Sequence, residues 1–345
     1  MSEIDLPALR ARLAAPIDAR FPGATLGDLR RLPGGVSSLT YAAGLHGDVS
    51  DEHRTIVVKV APPGLKPVRN RDVLRQARVL RALGTVDGVR VPEILFAEDG
   101  DPPLFAMAFV PGQSYEPLTD VVDDPPTAAV VTERAHAAAR MLARLQDVVP
   151  AGAGLADEPA VPLRDELDRW AALFATCPDE LRHDEQALHA LLADALPDAV
   201  EPRILHGDYR LANMQFAGAE LAAIIDWEIW SVGDPRTDLA WLLMHTDPQH
   251  RFDGEPDAAN AAAGTGMPSR EELLATYLAA RPIATEELHW FLAYCHYKCA
   301  STIAVLAKQA RRRGTSGERM ERAASTLPAI LARGREHLRA AQIVG

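Results

Sequence analysis

The sequence is poor in cysteine and in lysine. Its 345 residues include three cysteines, Cys177, Cys295 and Cys299, and only four lysines against 32 arginines. Three cysteines form no disulfide framework, and such a low content is typical of proteins in a reducing compartment, so we expect a cytoplasmic protein. Because lysine is rare in this chain, a lysine inside an apolar segment is more informative about function than it would be elsewhere.

Excess positive charge and long apolar runs are also missing. The net charge of -12 argues against a nucleic-acid partner, which would require a basic face. Residues 1–20 mix charged residues with short apolar runs, so we expect neither a signal peptide nor a membrane span. What the chain does contain is 48% hydrophobic residues, over a length sufficient for one large or two ordinary domains.

One polar segment lies between apolar runs that are typical of strands. It contains His206, Gly207 and Asp208, with Asn213 five residues after Asp208, and Asp226 follows the next apolar run. Phosphoryl transfer uses such a set: a carboxylate that accepts the proton of the attacking hydroxyl, and an amide and a second carboxylate that bind Mg²⁺. The catalytic loop of protein kinases has the same order of residues. Isolated Asp and Asn residues are usually turn formers, but three at this spacing favour catalysis.

These residues receive separate predicted roles. We expect Asp208 to be the general base, and His206 to orient the loop. Asn213 and Asp226 are the predicted magnesium ligands. Glu228 lies two residues beyond Asp226 and is either a further contact to metal or substrate or a solvated side chain.

A glycine pair near the start of the chain precedes an alternating segment. Gly34 and Gly35 allow a backbone to approach a phosphate closely, and Ser37 and Ser38 supply hydroxyl and amide donors. The same pattern is also that of an ordinary hairpin turn.

Lys59 is the clearest binding candidate in this region. It stands inside an apolar, β-branched segment, residues 55–60, where kinases carry a lysine that contacts nucleotide phosphates. The alternative is an edge-strand lysine that faces solvent. On the helix predicted from Pro67 onward, Gln76 stands where kinases carry the glutamate that pairs with this lysine. A neutral partner is weaker by about 1 kcal/mol, and Asp72 is an alternative partner.

The predicted fold class is α+β and bilobal, like that of protein kinases. Residues 1–112 form a small lobe of antiparallel strands with one helix, and residues 113–345 form a helical lobe with the catalytic loop at 204–238. Asp234 is the predicted N-cap of a helix that begins at Pro235. Asp238 on that helix is either buried against the catalytic loop or a first-turn acid favoured by the helix dipole.

The motifs resemble small-molecule kinases of the aminoglycoside phosphotransferase and choline kinase type. The shared patterns are His-Gly-Asp at 206–208 with Asn213, Ile-Asp-Trp-Glu at 225–228 and Gly-Asp-Pro at 233–235. The likeness is closest to the kinase-like domain that some proteins carry fused to an acyl-CoA dehydrogenase, through segments 32–37, 209–210 and 268–273. The family usually has glutamate at the position of Gln76.

This resemblance implies a kinase-like fold, ATP with Mg²⁺ as donor, and a small-molecule hydroxyl as acceptor. A hydroxyacyl-CoA is the acceptor that the closer likeness implies, and a cationic aminoglycoside suits the acidic composition. A nucleotide-binding pseudokinase without turnover is a further alternative, because of Gln76.

Two other segments carry open interpretations. The cluster of Cys295, His296 and Cys299 supplies too few ligands on one helical turn for a structural zinc site. A basic patch between residues 308 and 322 is either a helix end that favours cations or a docking site for an anionic substrate.

Overall fold

The chain forms two compact units in the computed structural model, which describes residues 4–32, 37–120, 122–247 and 264–344. The first unit comprises Met1–Gln113, Ala151–Ala156 and Asn213–Trp230. The second comprises Ser114–Pro150, Asp157–Ala212 and Ser231–Gly345.

A six-stranded antiparallel sheet dominates the first unit. Its strands run in the order β1-β3-β4-β6-β5, with β2 paired to β3. The strands are β1 Thr25–Leu26, β2 Arg30–Arg31, β3 Leu39–His46, β4 Thr55–Val60, β5 Ile94–Glu98 and β6 Leu104–Ala108. Lys59 pairs in register with Thr40 on one side and Phe105 on the other. Strand β4 is therefore central, and the edge-strand interpretation of Lys59 is wrong.

Two helices accompany this sheet, α1 at Leu6–Arg20 and α2 at Val73–Gly84. The predicted start of α2 at Pro67 is wrong, because Asp72 caps the helix: its carboxylate accepts the Arg75 backbone N–H at 2.9 Å. The Lys59 ammonium bonds to Asp226 and Gln76 instead, so the alternative pairing with Asp72 is wrong. A hairpin of β8 and β9 completes the unit, at Met214–Ala217 and Glu220–Ile224.

The second unit is mostly helical. Its helices are α3 Ala128–Asp147, α4 Leu163–Phe174, α5 Asp179–Arg182, α6 Glu185–Asp194, α7 Arg236–Thr246, α8 Arg270–Ala280, α9 Leu288–Arg313, α10 Glu318–Ser325 and α11 Leu327–Val344. Its two short strands, β7 at Arg203–Leu205 and β10 at Ser231–Gly233, pair antiparallel. None of the helices in the described ranges is long and apolar enough to cross a membrane.

Helix α9 forms the centre of the second unit, where it packs against α4, α6, α7 and α11. Nearly every residue between Leu288 and Ala304 is buried, since neighbours surround the helix. Such a helix has no solvent-facing stripe, and a charged residue on it requires a specific partner.

Helices α7 and α8 begin with different caps. Helix α7 begins at Arg236, with Pro235 at the cap position, so the predicted cap at Asp234 is wrong by one residue. Asp234 still accepts the Arg236 backbone N–H at 2.9 Å and pairs with its guanidinium at 2.7 Å. Helix α8 begins with a capping box formed by Ser269 and Glu272.

Candidate active site

The predicted catalytic loop leaves β7 after Leu205 and is held by a buried carboxylate from α7. Asp238 is fully buried and accepts the backbone N–H of His206 at 2.6 Å and that of Gly207 at 3.0 Å. Burial raises the pKa of Asp238, although His206, Lys298 and the two N–H groups act in the opposite direction. Of the two interpretations of Asp238, the structure supports burial against the loop.

Asp208 is an oriented carboxylate with part of its surface open. The Trp241 indole N–H donates to Oδ1 at 2.8 Å, and the Arg210 Nε lies 3.3 Å from the same oxygen. Its own backbone N–H donates to His206 Nδ1 at 3.2 Å, the geometry expected of a histidine that orients the loop. The side chain is 28% exposed, so one face of the carboxylate remains accessible.

The pKa of Asp208 lies well below its ordinary value. Burial is the largest single influence and would raise it, but nearby Arg210, then His245 and His206, and then the Trp241 hydrogen bond lower it and together outweigh burial. Arg210 is the dominant favourable charge, because burial lowers the pKa of His245 to about 3 and leaves that ring neutral at pH 7. Asp208 is therefore ionised throughout the neutral range.

A second acid lies beside Arg210 in a different protonation state. Glu116 is 1% exposed, and its Oε2 lies 4.0 Å from Arg210 Nη1 and accepts the Ala212 backbone N–H at 3.4 Å. Its other oxygen, Oε1, has no hydrogen-bond partner among the described residues. Burial raises the pKa of Glu116 to about 8, although Arg210 opposes the rise. At pH 7, Glu116 is therefore mostly neutral.

Lys59, Gln76 and Asp226 come together in the first unit. The Lys59 ammonium lies 2.9 Å from Asp226 Oδ1 and 3.4 Å from Gln76 Oε1, and the Gln76 amide also donates to the Asn70 carbonyl at 3.2 Å. The primary partner of the lysine is thus Asp226. A pocket beside this pair is lined by Lys59, Gln76, Leu80, Pro92, Phe105, Met107, Ile225, Asp226 and Trp227.

The two predicted metal ligands lie at the same end of the β8–β9 hairpin. Met214 pairs with Ile224, and the Ile225 N–H donates to the Asn213 carbonyl at 2.9 Å. Asp226 follows with φ of 65° and a side chain that is 39% exposed. A non-glycine residue in this left-handed region is uncommon and often marks a functional position. An amide and a carboxylate fit Mg²⁺, which proteins commonly hold through few side chains together with substrate phosphates.

Other predicted binding residues have mixed outcomes. Ser37 and Ser38 are buried, and the Ser37 hydroxyl donates to the Glu228 carboxylate. Glu228 is therefore engaged with the segment that follows the glycine pair, and its role as a metal ligand stays a prediction. Gly34 and Gly35 lie outside the described residues.

The cysteine–histidine cluster of α9 and the basic patch both bond to nearby residues. The Cys295 thiol donates to the Thr237 carbonyl at 3.6 Å, and His296 bonds to the Leu292 carbonyl at 2.8 Å within its own helix. The described ranges contain no group of three or more His, Cys, Asp or Glu side chains placed to hold a metal ion. In the basic patch, Lys308 donates to Thr176 at 2.6 Å, which favours the helix-end interpretation.

Sequence reasoning missed Trp241, Arg210, Glu116 and Lys298. The Lys298 ammonium donates to the Gly207 carbonyl oxygen, although 91 residues separate the two in the chain. One signal for it was available, since the scarcity of lysine that makes Lys59 informative applies equally to a lysine in the apolar helix α9. Trp241 is 33 residues from Asp208 in the chain and Glu116 is 96 residues from Ala212, and neither carries such a signal.

Comparison with known proteins supports the fold and the family. A protein from Ralstonia eutropha JMP134, named as a candidate aminoglycoside phosphotransferase, has the same fold: the TM-score is 0.74 at 21% identity, covering 98% of this chain and 99% of that one. The streptomycin–ATP ternary complex of APH(2″)-IIa superposes with a TM-score of 0.55 at 17% identity, covering 93% and 99% of the two chains. The predicted α+β kinase-like fold is thus confirmed.

Sequence relatives support the predicted resemblance as well. Human acyl-CoA dehydrogenase family member 11 is 27% identical over 259 residues, which cover 72% of this chain and 32% of that protein. The chain thus spans about a third of the length of this curated relative. The family model described as "Phosphotransferase enzyme family" (APH) matches residues 28–274, well over half of the sequence. Together with the loop geometry around Asp208, this match shows that the chain belongs to the APH phosphotransferase enzyme family.

Proposed function

We propose that the protein transfers the γ-phosphoryl group of ATP to a hydroxyl group of a small molecule. The observation that carries this proposal is the ionised Asp208 carboxylate, oriented by Trp241 and Arg210 and accessible on one face. The presence of ATP in the complex of the structural neighbour APH(2″)-IIa supports the choice of donor.

The proposed reaction is a direct displacement at phosphorus. The acceptor hydroxyl oxygen forms a bond to the γ-phosphorus, the bond from that phosphorus to the β,γ-bridging oxygen breaks, and ADP leaves. The hydroxyl proton passes to Asp208. Because the pKa of this carboxylate is low, it takes the proton late, when the loose transition state has made the hydroxyl acidic.

The first unit supplies the groups for the nucleotide. Lys59 contacts phosphate oxygens, and Asn213 and Asp226 would hold Mg²⁺. That ion, when bound, neutralises charge on the phosphates. The pseudokinase alternative rests on Gln76, but the Lys59 ammonium is already placed by Asp226 at 2.9 Å. The missing glutamate therefore does not leave the lysine unoriented, and we favour the enzyme.

Two acceptor classes remain as candidates, and we favour a hydroxyacyl thioester. The relatives named as acyl-CoA dehydrogenase family members support it, and so does Arg210. A guanidinium that is 30% exposed beside the proposed base repels a cationic acceptor and attracts carbonyl or carboxylate oxygens. The name of the Ralstonia neighbour supports the alternative, an aminoglycoside.

The test is mass spectrometry of reactions with γ-labelled ATP and Mg²⁺, offered hydroxyacyl-CoA thioesters and aminoglycosides in parallel. The wild type is compared with Asp208→Asn and with a matched control, Asp168→Asn, whose carboxylate is 53% exposed and lies 3.2 Å from His189 Nε2. We expect a labelled phosphate ester with the wild type and the control, and none with Asp208→Asn. Equal turnover by Asp208→Asn would refute the mechanism, and nucleotide binding without any product would support the pseudokinase.

A further inference from the structure

Lys298 is a buried cation that contacts the catalytic loop. It lies in the fully packed part of α9 and is 3% exposed. Its ammonium donates to the carbonyl oxygen of Gly207, which belongs to the peptide that joins Gly207 to Asp208. Burying an ammonium is costly unless other groups compensate its charge, so its position in the core requires an explanation.

Two indole rings supply part of the compensation. The Lys298 ammonium lies 4.3 Å from the ring centroid of Trp241 and 5.6 Å from that of Trp170. Both distances are within the range of cation–π attraction, which is strongest when the groups are desolvated. Two carboxylates contribute too. Burial would raise the pKa of Glu166, but Arg169, Lys298 and two hydrogen bonds hold it below its ordinary value. Burial does raise the pKa of Asp238, and Lys298 is among the charges that oppose this rise.

Trp241 connects this cation to the proposed base. Its indole N–H donates to Asp208 Oδ1 at 2.8 Å, while its ring face receives the Lys298 charge. A cation over an indole draws electron density from the ring and makes the N–H a stronger donor, and chains of polarised groups of this kind reinforce one another in a low dielectric.

The loop backbone is thus held from two sides. Asp238 accepts the N–H groups of His206 and Gly207, and Lys298 donates to the Gly207 carbonyl. The N–H of the Gly207–Asp208 peptide donates to His206 Nδ1 at 3.2 Å, so both polar groups of this peptide are engaged and its orientation is fixed.

We propose that Lys298 is a positioning residue for phosphoryl transfer: it fixes the Gly207–Asp208 peptide and, through the Trp241 ring, strengthens the hydrogen bond that orients the Asp208 carboxylate. This inference rests on the proposed function, in which Asp208 is the base. Lys298 itself does not touch the substrate.

The first experiment compares Lys298→Met with Lys308→Met. Lys308 is a matched control because it lies on the same helix and its ammonium also donates to a backbone carbonyl, that of Thr176, at 3.2 Å on the protein surface. We expect Lys298→Met to lower kcat by about tenfold to a hundredfold, because a small displacement of a catalytic group has an effect of this size. The KM for ATP changes less than about twofold in each variant, and Lys308→Met keeps the wild-type kcat. A wild-type kcat for Lys298→Met overturns the proposal.

A double-mutant cycle tests the route through the indole. Trp241→Phe removes the N–H that donates to Asp208, so Lys298→Met should have a smaller effect on kcat in this background than in the wild type. Fully additive effects would overturn the part of the proposal that runs through Trp241.

Hydrogen exchange of the segment 204–213 supplies a readout that needs no turnover. We expect faster exchange in Lys298→Met and no change in Lys308→Met. If the wild type phosphorylates no acceptor, the proposed function fails. Hydrogen exchange of segment 204–213 then decides by itself whether Lys298 positions the loop. If Lys298→Met does not fold, Lys298→Arg and Lys298→Gln replace it. The positioning role predicts a higher kcat and slower hydrogen exchange for Lys298→Arg than for Lys298→Gln. Equal kcat and equal exchange in these two variants would overturn the proposal.

Discussion

Glu116→Gln should make the protein more stable, and the gain should depend on pH. The substitution keeps the shape of the side chain and removes its ability to ionise. In the folded protein, burial raises the pKa of Glu116 from 4.5 to about 8. The unfolded chain therefore loses this proton near pH 4.5 while the folded chain retains it, so the stability linked to the protonated acid is lost progressively as the pH rises toward about 8.

The size of the effect follows from the same pKa. Each tenfold change in an ionisation constant corresponds to about 1.36 kcal/mol. The rise in pKa from 4.5 to about 8 therefore sets an upper bound of about 5 kcal/mol on the stability that is lost when Glu116 ionises. Local relaxation and water entry reduce such penalties, so we expect a difference of about 2 kcal/mol at pH 8.5. For 345 residues, that difference corresponds to about 3 °C in Tm.

The assay is thermal and urea unfolding of both proteins between pH 4 and 9. The difference in free energy of unfolding between variant and wild type should be smallest near pH 4 and should grow until about pH 8. Glu133→Gln, an exposed change on α3, should shift stability by less than about 0.5 kcal/mol. A constant difference across this range would refute the raised pKa and, with it, the neutral state of Glu116 beside Arg210.

Three further predictions follow from contacts described above. Asp238→Ala leaves two buried N–H groups of the predicted catalytic loop without an acceptor and should lower the free energy of unfolding by about 2 to 4 kcal/mol in urea titrations. A loss under about 0.5 kcal/mol would contradict the role of Asp238 in holding the loop. Gln76→Glu places a carboxylate near Lys59 and should lower the KM for ATP by up to about fivefold in steady-state kinetics; a higher KM would count against this pairing. Burial raises the pKa of the Cys295 thiol, so iodoacetamide should leave it unmodified in the native protein and modify it in urea, as mass spectrometry would show; rapid native alkylation would contradict its burial.

The sequence predicted the position of the loop and its flanking strands better than the contacts around it, and the roles of its residues stay predictions. Asp208, Asn213 and Asp226 were recognisable because local spacing and flanking strands carry the signal. The start of α2 was misplaced because a capping aspartate, Asp72, overrides the apolar period that precedes it. Capping geometry depends on one side-chain bond, which periodicity does not encode.

The contacts that hold the loop were less accessible to sequence reasoning. Lys298 and Glu116 reach it from elements that are distant in the chain, and only tertiary packing brings them there. The composition nevertheless held a usable signal: with four lysines in 345 residues, a lysine in the mostly apolar first half of α9 required a partner. The same argument, applied once to Lys59, would have identified Lys298.

The ion pair of Lys59 and Asp226 links two ligands thermodynamically. In the proposed reaction the lysine contacts phosphates and the aspartate contacts the metal ion, yet at 2.9 Å each already neutralises the other. A phosphate that recruits Lys59 leaves Asp226 without a counter-charge, and a metal ion that recruits Asp226 does the same to Lys59. Each ligand therefore raises the affinity for the other by the same factor, and the pair disfavours the binding of either one alone.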